Sequence, residues 1–259
     1  RRDNARIVKS VYADVIDALL NKKSLAASIE ILQSHMDRLL NGQVHIRDLI
    51  ISKSLRSHYA NPQQIVHKVL ADRMADRDPG NKPQANDRIP FVYVDVGNKQ
   101  ISSQGERVEH PDYIQQHNLK IDALFYITNQ ISKPISQIYG LVVEQLPGYK
   151  HTLEPDYFKK QRLKYKNDEK EHSDEWIDKK ITDMRVDMAE ELLFGDYVRQ
   201  EKNRRNGSQT ITQWFQSSKS VKTKSPPTTV SNKLTKNTPT IQQSTLTQWA
   251  VKCWLCMFP

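Results

Sequence analysis

Residues 89–96 read Ile-Pro-Phe-Val-Tyr-Val-Asp-Val, and they form the clearest strand pattern in this sequence of 259 residues. The segment combines β-branched and aromatic residues, a composition typical of strands. A second strand is predicted over residues 44–52, where Val and Ile are again frequent. Together these segments predict a small sheet.

Helical patterns lie on both sides of these strands. Two apolar stripes with helical spacing precede them, and Ser24 is a candidate N-cap for the second. Asn61-Pro62 has the composition of a helix start, and Pro111 and Pro134 mark two more. The sequence therefore predicts an α+β fold that is mainly helical. Helices are expected at 111–117, 121–131 and 134–143, and from Ser173 to about Arg199.

The charge of the chain is uneven along its length. The formal net charge is +9, of which residues 1–90 carry +5 and residues 91–215 carry −2. Residues 216–240 add five lysines and no acid. This distribution predicts an anionic partner, nucleic acid first, with plain solubility as the alternative. No apolar run approaches the ~20 residues of a membrane-spanning helix, so no membrane partner is expected.

Several enzyme signatures are missing from the sequence. It contains no Gly-rich phosphate loop, no G-x-S-x-G and no H-E-x-x-H. Asp72, Asp76 and Asp78 lie close together, but neighbouring arginines favour a salt-bridged surface. Cys253 and Cys256 have the spacing of metal ligands without a second pair. We therefore expect no catalytic residue and no metal site within this chain.

A short motif occurs twice near the end of the chain. Residues 208–215 (SQTITQWF) and 243–250 (QSTLTQWA) share the pattern T-aliphatic-T-Q-W. They flank residues 216–240, whose Ser, Thr, Lys and Pro content predicts a disordered linker. Both copies resemble, in degenerate form, the Q-x-x-aliphatic-x-x-aromatic-aromatic peptide that the sliding clamp PCNA binds; the alternative is local packing of each Trp. The clamp-binding residues implied are Ser208, Ile211, Trp214, Phe215, Gln243, Leu246 and Trp249.

The folded part carries a longer series of motifs in a recognisable order. These are Arg1-Arg2-Asp3, residues 50–55 (IISKSL), 87–92 (DRIPFV), 106–111 (ERVEHP), and 120–127 (KIDALFYI) followed by Pro134-Ile135. The series resembles the end of the palm and the thumb of family B DNA polymerases, of the replicative type found in eukaryotes and large DNA viruses. Each motif is short, but together they cover residues 1–143.

The resemblance implies an organisation for the whole chain. Residues 1–150 would be the end of the palm and the thumb, and 151–207 a charged helical extension. Residues 208–215 and 241–259 would carry the two clamp peptides on either side of the disordered linker. A thumb grips duplex phosphates by charge, so some basic residues would contact DNA and others would be ordinary surface charges. The candidates are Arg1, Arg2, Lys53, Arg56, Lys68, Arg73, Arg77, Lys82 and Arg88.

The same resemblance implies a function for the parent protein. It would be a DNA-directed DNA polymerase, using Mg²⁺ and deoxynucleoside triphosphates on primer–template DNA, in the nucleus or at an intracellular site of viral replication. The catalytic carboxylates of the family lie in motifs upstream of Arg1, so the chain alone is expected to be inactive and to bind no cofactor. The alternatives are a non-enzymatic, nucleic-acid-binding clamp adaptor and a degenerate polymerase paralogue. Sequence upstream of Arg1 would distinguish them.

Overall fold

The fold is α+β and mainly helical, as predicted, with one small sheet. A computed structural model describes residues 4–97, 103–151, 154, 156–168 and 172–205. The tail that contains both clamp-like motifs and Cys253 and Cys256 lies outside these residues. The strands are β1 (Ile51–Ser54), β2 (Arg88–Tyr93) and β3 (Val108–Glu109). The helices are α1 (Arg6–Leu20), α2 (Leu25–Leu40), α3 (Ile46–Leu49), α4 (Val66–Arg77), α5 (Pro111–His117), α6 (Ala123–Tyr126), α7 (Ser132–Tyr139), α8 (Tyr157–Lys166) and α9 (Asp174–Arg205).

The first two helices pack against each other, and their apolar stripes enter the core. Val11 and Val15 of α1 are fully buried, as is Met36 of α2. Ser24 ends the connection between the helices, and its hydroxyl accepts a hydrogen bond of 3.1 Å from the Ala27 amide. The predicted N-cap is therefore confirmed, and it satisfies one of the free amides of the first turn.

The sheet is antiparallel, in the order β1-β2-β3. Lys53 of β1 lies opposite Ile89 of β2, and Tyr93 of β2 lies opposite Val108 of β3. The strand predicted over residues 44–52 is wrong in its first half, because Ile46–Leu49 form α3. The His45 ring nitrogen accepts a hydrogen bond of 3.1 Å from the Arg47 amide, which favours a helical turn there.

A buried tyrosine connects the sheet to the helices around it. The Tyr126 hydroxyl donates to the Leu49 carbonyl at 2.7 Å and accepts from the Tyr93 amide at 3.2 Å. Its ring is fully buried, and burial raises the pKa of the hydroxyl far above its usual range. Both backbone groups would lack these partners without the hydroxyl, so Tyr126 fixes β2 relative to α3.

The helices after β3 differ in their boundaries from the sequence prediction. α5 occupies residues 111–117 as predicted, with Pro111 as its first residue. The helix predicted over 121–131 consists of α6 followed by a π-helical segment, Ile127–Ile131. α7 begins at Ser132 rather than Pro134, because the chain continues directly from the π-helical segment and Pro134 falls within its first turn.

The last two helices form an extension that packs on the rest of the fold. α9 is 32 residues long and contacts α7 and the 3-10 segment Gly140–Gln145. Gly140 permits this close approach, since a Cβ there would lie 3.2 Å from the Val186 amide nitrogen. α8 packs on α9. The sequence pattern predicts α9 but does not separate α8 from the charged residues around it.

Candidate nucleic-acid interface

Three of the predicted DNA-binding residues lie at one edge of the sheet. Ser54 of β1 pairs with Arg88 of β2, and Lys53 is the preceding residue on β1. The Arg88 guanidinium donates to the Ser52 carbonyl at 3.1 Å and remains exposed. Arg56 follows β1 and is also exposed. We call Lys53, Arg56 and Arg88 the sheet-edge cluster.

A partly buried histidine lies beside the positive charges of this cluster. The Arg56 amide donates to the Tyr59 hydroxyl at 2.7 Å, and that hydroxyl lies 2.9 Å from Nε2 of His67. Burial lowers the pKa of His67, and the charges of Lys53 and Arg56 lower it further. His67 is therefore held neutral near physiological pH, and its surroundings already carry positive charge.

An open cleft of about 500 Å³ lies next to Lys53. The aromatic residues Phe91 and Tyr93 of β2 are among the residues that line it. Its walls carry amide side chains that can donate hydrogen bonds to phosphate or sugar oxygens without reading base sequence. The amide residues that line it are Asn4, Gln64, Asn129 and Gln130.

Two predicted DNA-binding arginines are placed differently. Arg73 and Arg77 of α4 both bind the carboxylate of Glu109, Arg73 at 2.9 Å and Arg77 through two bonds of 2.9 Å. Arg73 also donates to the carbonyls of Gly105 and Val108. Burial would raise the pKa of Glu109, but the hydrogen bonds and charges of the two arginines outweigh it and lower the pKa. This arrangement ties α4 to β3.

The remaining predicted positions are separate from the sheet-edge cluster. Lys68 pairs with Asp72 one turn along α4, and Lys82 is exposed in the loop before β2. The carboxylate of Asp78 caps its own turn by accepting from Gly80 and Asn81. Arg1 and Arg2 lie outside the described residues. Of the predicted residues, the structure places Lys53, Arg56 and Arg88 at the same end of the β1–β2 pair, where Lys53 and Arg88 project from opposite faces of the strands.

A second charged centre was not predicted from the sequence. Asp122 is 1% exposed and accepts hydrogen bonds from Arg107 at 2.7 Å, Arg205 at 2.6 Å and the Phe125 amide at 3.0 Å. Burial would raise the pKa of Asp122, but these hydrogen bonds lower it overall. The last turn of α9 is thereby held against the start of α6. Asp122 precedes a short helix, so the sequence signals a cap, but no local pattern identifies Arg205 as its partner.

Within the described ranges, no three His, Cys, Asp or Glu side chains are placed to hold a metal ion. None of the helices in the same part of the chain combines the length and apolar character needed to cross a membrane.

Comparison with known proteins identifies the class to which this fold and site belong. The model of the family described as DNA polymerase family B matches residues 1–142. The DNA polymerase of Pyramimonas orientalis virus is 42% identical over 218 residues, which is 83% of this chain and 18% of that protein. The DNA polymerase of Acanthamoeba polyphaga mimivirus is 39% identical over 223 residues, 85% of this chain and 10% of that protein. This chain belongs to DNA polymerase family B.

More distant relatives match a shorter part of the chain. The DNA polymerase delta catalytic subunit of Candida albicans is 30% identical over 139 residues, 54% of this chain and 13% of that protein. A solved family B DNA polymerase from Pyrobaculum calidifontis is 21% identical with a TM-score of 0.39, covering 49% of this chain and 17% of that one. The chain thus spans less than a fifth of the length of each of these proteins.

Proposed function

We propose that residues 1–150 act as the end of the palm and the thumb of a DNA-directed DNA polymerase, extended by the helices of residues 151–207, and hold the primer–template duplex. The observation that carries the proposal is the sheet-edge cluster, which places three basic residues at one end of the β1–β2 pair, with Lys53 lining an open cleft, in a chain of this family. Phosphate contacts of this kind supply affinity without sequence preference, which suits an enzyme that copies any template.

The proposed grip combines two kinds of basic side chain. Arg88 is steadied by its bond to the Ser52 carbonyl, and Lys53 projects from the neighbouring strand. A guanidinium can bind one phosphate through two donors, whereas an ammonium acts as a point charge. Amides of the adjoining cleft can bind the sugar–phosphate backbone where it passes Lys53.

Nucleotide transfer itself would need groups beyond these residues. The resemblance implies that Mg²⁺ and deoxynucleoside triphosphates are held by carboxylates outside this chain, where metal ions would activate the primer hydroxyl. Residues 4–205 would contribute retention of the duplex. We propose an intracellular site of action, in the nucleus or where a virus replicates its DNA. The adaptor alternative is disfavoured, because residues 1–142 match a polymerase family.

We also propose that the tail tethers the polymerase to a PCNA-like sliding clamp. The support is the repeated T-aliphatic-T-Q-W motif at 208–215 and 243–250, which places an aliphatic residue and a Trp at the spacing of a clamp peptide. Aromatic anchors of this kind carry most of the affinity of a short peptide. A linker of 25 residues would span roughly 25–30 Å as a flexible coil, which allows both peptides to bind one ring.

DNA binding by the 259-residue chain tests the proposed function. Labelled duplexes of unrelated sequence would be titrated at several salt concentrations. We expect weak binding without sequence preference, with log K falling against log salt at a slope of roughly −3 to −5 for a handful of phosphate contacts. A DNA affinity that does not change with salt concentration, or that strongly prefers one sequence, would contradict the thumb assignment.

A further inference from the structure

All the charged side chains of helix α8 (Tyr157–Lys166) are basic. Its ten residues include no Asp or Glu. The last turn adds two lysines where the negative end of the helix dipole favours cations. Its five basic residues are Lys159, Lys160, Arg162, Lys164 and Lys166.

One face of α8 is committed to packing against α9. Phe158 is 4% exposed and lies beneath the guanidinium of Arg185 at 4.0 Å. Arg162 forms an ion pair with Asp178. The Tyr165 hydroxyl contacts the sulfur of Met184 at 3.8 Å. These contacts fix which side of α8 faces outward.

The outward side consists of exposed lysines around one leucine. Lys160 and Lys164 are exposed, and neither has a carboxylate partner among the residues that the structure describes. Leu163 lies between them and is 59% exposed. Lys159 pairs with Asp156 at 2.6 Å but is itself 79% exposed. We call Lys160, Leu163 and Lys164 the outer face of α8.

The adjoining half of α9 has a different charge pattern. Lys179 and Lys180 are equally exposed there, but their helix segment contains more acids than bases. Mixed charge of this kind is typical of a solvated surface. The acidic residues of that segment are Asp174, Glu175, Asp178, Asp183 and Asp187.

α9 contacts α8 and the region next to the sheet at separate points along its length. Met184, which contacts α8, precedes Arg205 by 21 residues, or about 30 Å along a helix that rises 1.5 Å per residue. Arg205 in turn binds Asp122, whose amide donates to the carbonyl of Tyr93 at the end of β2. α8 is therefore a basic surface separate from the sheet-edge cluster.

We propose that the outer face of α8 binds the phosphate backbone of the duplex as a second contact site, an inference that rests on the proposed function. Lys160 and Lys164 are one helical turn apart, a rise of about 6 Å, which is close to the axial rise of two base pairs at 3.4 Å each. Lysine is depleted from protein–protein interfaces, and a single exposed leucine is too little for an apolar anchor. Unpaired lysines suit a backbone contact without sequence preference.

The experiment compares two charge reversals in the 259-residue chain. Lys160→Glu/Lys164→Glu alters the outer face of α8, and Lys179→Glu/Lys180→Glu makes the same change in net charge on the neighbouring helix. Both pairs are exposed, and Lys and Glu are both good helix formers. Each protein is titrated with a 30-bp duplex and with a hairpin of 8-bp stem, which spans about 27 Å. Circular dichroism checks folding, and Lys160→Gln/Lys164→Gln repeats the test without adding acids.

The readout is the ratio of affinities for the long and the short duplex. We expect the α8 reversal to lower affinity for the 30-bp duplex about tenfold or more near 0.1 M salt, with a smaller effect on the short stem, and to flatten the salt slope by about 1 to 2. The α9 control should keep the wild-type ratio. Equal ratios in all proteins would overturn the proposal. If the wild-type chain binds neither duplex, the proposed function itself fails.

Discussion

Arg205, the last described residue of α9, donates a hydrogen bond of 2.6 Å to the carboxylate of Asp122, 83 residues earlier in the chain. The Asp122 side chain is only 2% exposed, and that of Arg205 is 20% exposed. The bond therefore joins the end of the extension to the core of the fold, and the chain continues toward its clamp-like motifs from this anchored point.

Removing the charge of Asp122 should loosen this anchor. Asp122→Asn leaves the guanidinium groups of Arg107 and Arg205 without their carboxylate, and breaking a buried pair in this way costs about 3–5 kcal/mol. Urea unfolding would measure the loss in the free energy of unfolding. Asp112→Asn is the matched control, because Asp112 is 77% exposed and should change stability by less than about 0.5 kcal/mol. Equal effects would show that the buried pair does not stabilise the fold.

Stability should depend on pH through the buried carboxylates. The folded state lowers the pKa of both Glu109 and Asp122, so the unfolded chain binds more protons in the acidic range. Their contribution is complete above the ordinary carboxyl values near 4 and is lost as the pH falls through the lowered folded values. Urea unfolding measured between pH 6 and pH 3 should show a free energy of unfolding that falls as the pH is lowered below about 4.5.

A substitution of Glu109 measures the share of this residue in the pH dependence of stability. Glu109→Gln should make the acid-side dependence shallower, and it should cost about 1–3 kcal/mol at neutral pH because Arg73 and Arg77 lose their shared partner. Glu30→Gln controls for the substitution itself, since Glu30 is exposed. An unchanged pH profile for Glu109→Gln would mean that the ion pair contributes nothing to folding.

The two tail motifs should differ in their affinity for a clamp. Residues 208–215 carry Phe215 at the second aromatic position, where residues 243–250 have Ala250. Replacing Trp214 and Phe215 by Ala should therefore weaken clamp binding more than replacing Leu246 and Trp249, because buried aromatic anchors carry most of the affinity. Calorimetry of both peptides and of the whole chain against a PCNA-like clamp measures this. Absence of binding at tens of micromolar would refute the tether.

Local patterns in the sequence predicted the local features of the fold. The stripe through Val11 and Val15, the cap at Ser24 and the start at Pro111 all depend on residues within a few positions of one another. The pattern over residues 44–52 failed because a short apolar run fits a strand or a buried helical turn equally well. The hydrogen bond from the Arg47 amide to the His45 ring favours the helical turn.

The candidate site was less predictable, because its contacts join distant residues. No local pattern in α4 connects Arg73 or Arg77 to Glu109; only the fold places Glu109 against both of them, 36 and 32 residues away. The same holds for Lys53 and Arg88, which the register of β1 and β2 brings to one end of the strand pair. Sequence motifs identified the family, whereas the pairing of charges required the structure.

The central claim is that the sheet-edge cluster grips the duplex, and the salt dependence of DNA binding tests it most directly. Lys53→Gln/Arg88→Gln would be compared with Lys22→Gln/Arg38→Gln, which removes one lysine and one arginine from the exposed surface of the first helical pair. Each lost phosphate contact should make the slope of log K against log salt less negative by about 0.9. The slope of the cluster variant should therefore be less negative by nearly 2, and that of the control should be unchanged. Equal slopes for the two variants would contradict the account.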